Sequence, residues 1–412
     1  MNEFQKFFIK ITRGLIWLFI VFSPVFFFNF AIDPYGIFLD LNKKSEMEPN
    51  KRYLKLCYIL KNPDKYDSFI FGSSRANFID PVKIPGGKYF NMALANGVPR
   101  YHLEDIKLMV RKGIKIKNLL IGIDFLSLLI NPEIQENDLS RKHYPVSLVE
   151  KFDFYKRYLF FRPDWKTVKL SLSTNGFDRA TLLSNGIRVY NNFDSSIELN
   201  PEAHVKAEKF QTPRARYSIS SDINGALDQV KKLVQFAKEH QINLIFYINP
   251  THHITYLNLN LDNYYEALKK LADLTNFYDF SGLNSVAIDN MSFLENSHFR
   301  LKTGDMIIAR IFHKDNISLP DDFGRYITRL NVDDEISFHR ALLLNYMKAT
   351  SLKEDTNSCL NFYSLKKTRK KLNCTLDRIN GIQIKNPNKP LLITTPWIKI
   401  KGYDIAPALK IP

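Results

Sequence analysis

Short apolar runs that alternate with longer amphipathic stretches constrain this chain more than any other feature. The strand-like runs fall at Ser68 to Phe71, Tyr89 to Met92, Asn118 to Phe125, Ile242 to Ile248 and Phe277 to Phe280. Helix-like stretches at Tyr101 to Lys112, Asp222 to His240, Leu261 to Thr275 and Thr303 to His313 lie between or after them. Parallel neighbours in a sheet need a long return connection, usually a helix, so this order predicts an α/β fold with a mainly parallel sheet. The run NLLIGIDF, Asn118 to Phe125, is apolar enough to be buried on both faces, as a central parallel strand is. With 412 residues, 45% of them hydrophobic, the chain is long enough for one large domain with additions, or two domains, with a sizeable core.

The places where the alternation fails mark the expected boundaries. Residues 33–63 are polar and charged, and read as a spacer with a short helix at Tyr53 to Leu60; the α/β domain is expected over 64–316. Residues 131–221, rich in aromatics and in Asn-Gly or Pro turns, break the pattern and read as a long insertion that covers or contacts a substrate. Beyond Asn316, the stretch Ser337 to Lys348 reads as an amphipathic helix, and Gly381 to Pro412 as a small β-rich appendage with strands at Leu391 to Thr394 and Trp397 to Ile400. The run KKTRKK, Lys366 to Lys371, reads as a solvated surface, with membrane or polymer contact as the sharper alternative.

At the other end, Leu15 to Ile32 is an 18-residue run interrupted only by Ser23, Pro24 and Asn29. A helix of that length crosses the hydrocarbon core of a bilayer. Lys6, Lys10 and Arg13 precede it, so the residues 1–32 are expected to form a transmembrane anchor with a cytoplasmic tip and the main domain periplasmic or extracellular. A cleaved signal peptide competes, but the run is long and no small-x-small site ends it; a buried soluble helix is the third reading.

Lys and Arg outnumber Asp and Glu by 58 to 42, giving a net charge of +16 that suits an anionic membrane or polymer. Nucleic acid is disfavoured as a partner, because no zinc knuckle, RNP-like aromatic run or helix-turn-helix spacing accompanies the charge. Cys57, Cys359 and Cys374 are too few and scattered for a disulfide framework, although a Cys359 to Cys374 bridge is conceivable. No cofactor motif stands out, and His252 and His253 lack a third ligand at metal-binding spacing, so no metal is expected.

Ligand sites in open α/β sheets form at the carboxyl ends of the strands. The first strand runs into Gly72-Ser73-Ser74-Arg75, and Ser74, or Ser73 beside it, is the candidate nucleophile. After the second strand comes Asn91 in NMALANG, where Gly97 lets a backbone amide approach a substrate oxygen. The third ends at Gly122-Ile123-Asp124 and the fourth at Asn249-Pro250-Thr251-His252. Glu295 precedes His298 by three residues; in a loop or first helical turn the carboxylate can hold one imidazole nitrogen while the other takes a proton from a serine. Arg75, Asn91 and His252 are the candidate substrate-binding residues.

This order of motifs resembles the SGNH (GDSL-like) hydrolase superfamily, and within it the membrane-anchored cell-envelope branch that holds the alginate O-acetylation proteins and the D-alanine transfer protein of teichoic acids. Gly72-Ser73-Ser74 looks like the first block, with Ser73 where many members have Asp; Gly97 matches the second-block glycine; Gly122-Ile123-Asp124 is similar to the third, with Asp124 for Asn; Glu295-x-x-His298 looks like the fifth, with Glu for Asp. The resemblance implies a flavodoxin-like three-layer sandwich, a catalytic Ser74, His298 and Glu295, and an oxyanion hole at Ser74, Gly97 and Asp124. It also implies O-acyl transfer to an anionic cell-envelope polysaccharide, with a multi-pass membrane O-acyltransferase as partner. A carbohydrate esterase and a non-catalytic polysaccharide-binding protein are the alternatives of the same fold.

Overall fold

The structure, a computed structural model, describes residues 3–38, 44–45, 47–130, 133, 138–173, 177–178, 184–187, 191–211, 223–314 and 317–357, and the strands 391–393, 398–400, 403–405 and 409–411. The expected strands form a single sheet: β1 (Ser68–Phe71), β2 (Tyr89–Asn91), β3 (Asn118–Ile123), β4 (Asn243–Ile248) and β5 (Phe277–Asp279), joined by a sixth, β6 (Arg325–Ile327). Their order is β2-β1-β3-β4-β5-β6, with all pairs parallel except the last. Side-chain alternation splits the core in two. Phe69, Phe71, Leu119, Ile121 and Phe246 pack in one cluster, and Ile70, Leu120 and Tyr247 in another on the opposite face.

Helices cover both faces. One cluster is closed by α2 (Lys51–Lys61), α3 (Pro99–Arg111), the crossover helix α7 (Ile223–Glu239) and α8 (Leu261–Leu274), and the other by α9 (Leu301–Ile311). The α/β class with a mostly parallel sheet is therefore what the alternation predicted. Among the described residues of the insertion, helices stand at α4 (Leu148–Phe160), α5 (Trp165–Leu172) and α6 (Asn191–Leu199). Near the carboxyl end, two antiparallel pairs join Ile398–Ile400 to Tyr403–Ile405 and Leu391–Ile393 to Leu409–Ile411. Lys366 to Lys371, Cys359 and Cys374 lie outside the described residues.

Both expected edges of the domain move. The short helix expected at Tyr53 to Leu60 is present as α2, but it packs into the domain: its Leu56 and Ile59 enter the core and its Arg52 and Lys55 are buried. Arg52 Nε donates to both carboxylate oxygens of Asp105, at 2.9 and 3.0 Å, and Lys55 Nζ donates to the Ala93 carbonyl at 2.7 Å. A charged sequence reads as solvated, but here the charges are satisfied internally. On the other side the sheet continues past residue 316 to β6, and α10 (Val332–Asn357) packs its His339 between Asp279 at 3.6 Å and Glu335 at 3.2 Å.

The apolar run near the amino terminus belongs to a long helix, α1 (Glu3–Ile32). Among the described residues no helix is long and apolar enough to cross a membrane. The side chains of Leu15, Leu18, Phe19 and Val21, in the middle of α1, fall outside those described. The last turns of α1 are held by the body: the Asn29 amide donates to the carbonyls of Leu159 and Phe161 at 2.9 and 2.8 Å, and Phe26 meets the ring of Phe160 at 5.8 Å.

Candidate active site

The turn that carries Ser74, the candidate nucleophile, follows from β1. At Gly72 an added Cβ would lie 2.7 Å from the Ala76 Cβ and 2.9 Å from the Gly122 carbonyl, so only glycine lets the strand turn this close to β3. A short 3₁₀ helix, Ser74–Phe78, begins at once. Ser73 is its N-cap, with Oγ accepting from the Arg75 amide at 3.2 Å. That use of Ser73 leaves Ser74 as the serine that faces the histidine: its Oγ is 2.8 Å from His298 Nε2.

His298 sits on a loop closed between β5 and α9. Phe293 and Phe299 form an antiparallel bridge, and Leu294 N donates to His298 O at 2.8 Å. Inside this hairpin, His298 Nδ1 is hydrogen-bonded to Glu295 Oε1, and Glu295 Oε2 accepts from the Ser297 amide at 3.0 Å. The carboxylate is thus fixed through both oxygens, and it selects the tautomer with the proton on Nδ1 and a lone pair on Nε2 towards Ser74. His298 and Glu295 side chains are 20% and 24% exposed, so the relay is reachable from solvent yet packed from below by Phe78, whose ring is 5.8 Å from that of His298.

Other expected site residues take different places. Arg75 is buried, and its guanidinium spans three segments: Nε donates to Ser297 O at 2.8 Å, one terminal nitrogen to Ser297 Oγ at 3.1 Å, and the other pairs with Asp124 Oδ1 at 3.2 Å. It ties the nucleophile turn to the base loop rather than presenting a charge to substrate. Asp124 is correspondingly an acceptor, not a donor to an oxyanion; its own amide donates to Ser127 Oγ at 3.0 Å. Asn91 is fully buried, donating to the carbonyls of Ala76 and Ile79 at 2.8 and 3.1 Å and accepting from Ala93 N at 2.9 Å, so it braces the turn from behind.

Gly97 does lie against the nucleophile turn: a Cβ there would be 2.4 Å from the Gly72 carbonyl and 2.8 Å from His102 Cε1. Its amide, however, donates to Leu94 O at 3.1 Å. No hydrogen bond from the Ser74 amide is found among the described residues. His252 is fully buried beneath the base loop, with Nε2 2.9 Å from Asn290 Oδ1 and its ring 5.1 Å from Phe293. Burial, only partly offset by the Asn290 hydrogen bond, pushes its pKa down to about 4. It supports the loop as a neutral ring instead of lining a substrate cleft.

Beside the expected Asp124 lie two buried polar residues, Tyr247 and Asn249, that the sequence reading did not name as site residues. Asp124 Oδ2, Tyr247 Oη and both amide atoms of Asn249 have no hydrogen-bond partner among the described residues. They are neighbours: a Cβ on Gly122 would lie 2.6 Å from Tyr247 Oη and 3.0 Å from Asn249 Nδ2. Burial, together with the charge of Asp124, raises the Tyr247 pKa well above its ordinary value. Asn249 stood in the sequence at the end of the fourth strand, and position was the only signal it gave.

The insertion is clamped to the base loop. Arg300 Nε pairs with Asp194 and a terminal nitrogen with Glu198, both on α6 and both at 2.5 Å. His204 Nε2 lies 2.9 Å from the Phe293 carbonyl. Elsewhere, Asp279, Glu335 and His339 bring candidate metal-ligand atoms within 4.8 Å of one another. Burial opposes a charge on His339, but the Glu335 hydrogen bond and the Asp279 charge outweigh it and raise its pKa, and Arg325 Nε adds a cation 2.5 Å from Glu335. The cluster carries its own positive charge, as an internal ion network does. No protein family matches this chain, and no curated protein matches it either.

Proposed function

We propose that the protein is a membrane-anchored, extracytoplasmic serine acyl-transfer enzyme of the SGNH type that takes part in O-acyl transfer to a cell-envelope polysaccharide. The observation that carries this reading is the alignment of Ser74 Oγ, His298 Nε2 and Nδ1, and Glu295, assembled from a strand-end turn and a distant loop. Ser74 Oγ attacks the carbonyl carbon of an acyl donor while His298 Nε2 takes the hydroxyl proton. His298 then gives that proton to the departing oxygen as the acyl–donor bond breaks. In the second half the acceptor hydroxyl loses its proton to His298, attacks the acyl-serine, and releases Ser74. Glu295 stabilises the imidazolium in both halves. The amide of Ser74 supplies one oxyanion donor, a group typically worth about 3 kcal/mol of barrier.

The polysaccharide side of the proposal draws on the net charge of +16 and on the motif order, and the membrane side on the uncharged run from Leu15 to Ile32 behind Lys6, Lys10 and Arg13. The anchored chain would receive acyl groups from a multi-pass membrane partner. A carbohydrate esterase differs only in using water as the acceptor. The test is to supply the purified chain with an activated acetyl ester and an anionic oligosaccharide. Acetylated oligosaccharide formed by wild type and absent with Ser74→Ala supports transfer; acetate release without sugar acetylation supports the esterase; turnover equal in wild type and Ser74→Ala contradicts both.

A further inference from the structure

Helix α4 carries apolar side chains on opposite faces. Phe154 and Tyr158, one turn apart, face inward and pack with Tyr53 of α2. Leu148, Val149 and Phe152 face away and are 83%, 80% and 73% exposed. On α5, Trp165 is 81% and Leu172 57% exposed, seven residues apart and so on one face of that helix. Single apolar side chains are common on a soluble surface, but a run of this density that includes a bare tryptophan marks a contact surface.

The charges in the same segment indicate what it contacts. Residues 148–172 hold six basic and three acidic residues, and Lys151, Lys156, Arg162, Lys166 and Lys169 are all exposed. Leu, Phe and Trp with flanking Lys and Arg form the composition of a helix that lies in the headgroup region of an anionic bilayer, burying the apolar side chains while the cations meet lipid phosphates. The location agrees. The carboxyl end of α4 is fastened to α1 by the Asn29 amide, Phe160 packs on Phe22 and Phe26, and α1 itself exposes Trp17, Ile20, Phe27 and Phe30. The two helices that carry these apolar surfaces are thus in direct contact at the carboxyl end of α4.

We infer that α4 and α5 form an interfacial platform that rests on an anionic lipid surface beside α1. The inference rests on the reading of α1 as an anchor. The inner face of α4 packs on α2, and Lys55 of α2 holds the Ala93 carbonyl next to the nucleophile turn, so the platform sets the height and tilt of the active site above the lipid.

Tryptophan depth quenching on the full chain tests this. Reconstitution in phosphatidylcholine–phosphatidylglycerol vesicles uses lipids brominated near the headgroup or near the chain end. Trp17→Phe with Trp397→Phe leaves Trp165 as reporter; Trp165→Phe with Trp397→Phe leaves Trp17. The expected result is that shallow bromines quench Trp165 at least twofold more than deep ones, and that Phe152→Ser weakens this quenching while Ser74 still takes an active-site label. Quenching of Trp17 without Trp165 overturns the platform and leaves the anchor standing; no quenching of either overturns both. Emission from Trp165 that ignores bromine and changes with protein concentration identifies a second copy as the occupant and also overturns the platform.

Discussion

Ser74 Oγ and His298 Nε2 lie 2.8 Å apart although 224 residues separate them in the chain. Nothing local brings them together; the parallel sheet does, by delivering the end of β1 and the loop after β5 to one edge. Catalytic groups in open α/β sheets gather at that edge for the same reason.

The carboxylate of Glu295 accepts from Nδ1 of His298 and so turns Nε2 towards Ser74. Glu295→Gln preserves the size of the side chain and replaces the charge with an amide. The expected result is a fall in kcat of about 10²–10⁴-fold with KM within a few-fold of wild type. Steady-state kinetics on an acetyl ester checks this, and an unchanged kcat contradicts the role given to Glu295.

Arg75 is a tether, and removing it leaves the Asp124 carboxylate buried without its cation. Arg75→Met is expected to destabilise the fold by about 3 kcal/mol. Below its lowered melting point the variant should lose kcat more than it raises KM, because the relay loosens while the substrate contacts stay. A rise in KM alone, with stability intact, would return Arg75 to substrate binding.

The depressed pKa of His252 links stability to pH. The folded state holds the ring neutral down to about pH 4, whereas the unfolded chain protonates it near the ordinary value of 6.5. The unfolded state therefore binds more protons between these limits, and the contribution to stability is fully present above about pH 6.5 and lost as pH falls towards 4, by at most about 3 kcal/mol. His102 acts in the same direction, burial pushing its pKa down to about 3. Denaturant unfolding across that pH range should show a shallower slope for His252→Gln than for wild type; identical slopes would remove His252 from the account.

How much of this was legible in the sequence depended on whether a residue's environment is local. The strands showed because both-face burial leaves an apolar run such as Asn118–Ile123, and Glu295 with His298 showed because their bond spans three residues. The three-residue edge strand Arg325–Ile327 is too short to leave a periodic signal. Arg75, Asn91 and His252 stood at strand ends, where polar residues read as site residues. Their partners, Asp124 and Ser297, the Ala76 and Ile79 carbonyls, and Asn290, come from segments that only the fold brings near. Lys55 misled in the opposite direction: a lysine in a charged stretch became a buried donor with its pKa lowered well below normal by burial.

Covalent labelling at Ser74 tests the central claim most directly. A fluorophosphonate reacts with a serine whose proton is taken by a neighbouring base, so the wild-type chain should be labelled on Ser74 by peptide mapping. Ser73→Ala, which removes only the cap, costs about 1 kcal/mol and should still be labelled. Ser74→Ala should take no label and His298→Ala only a trace. Equal labelling of wild type and Ser74→Ala, or a folded wild type that takes none, would contradict the assignment of Ser74 as nucleophile.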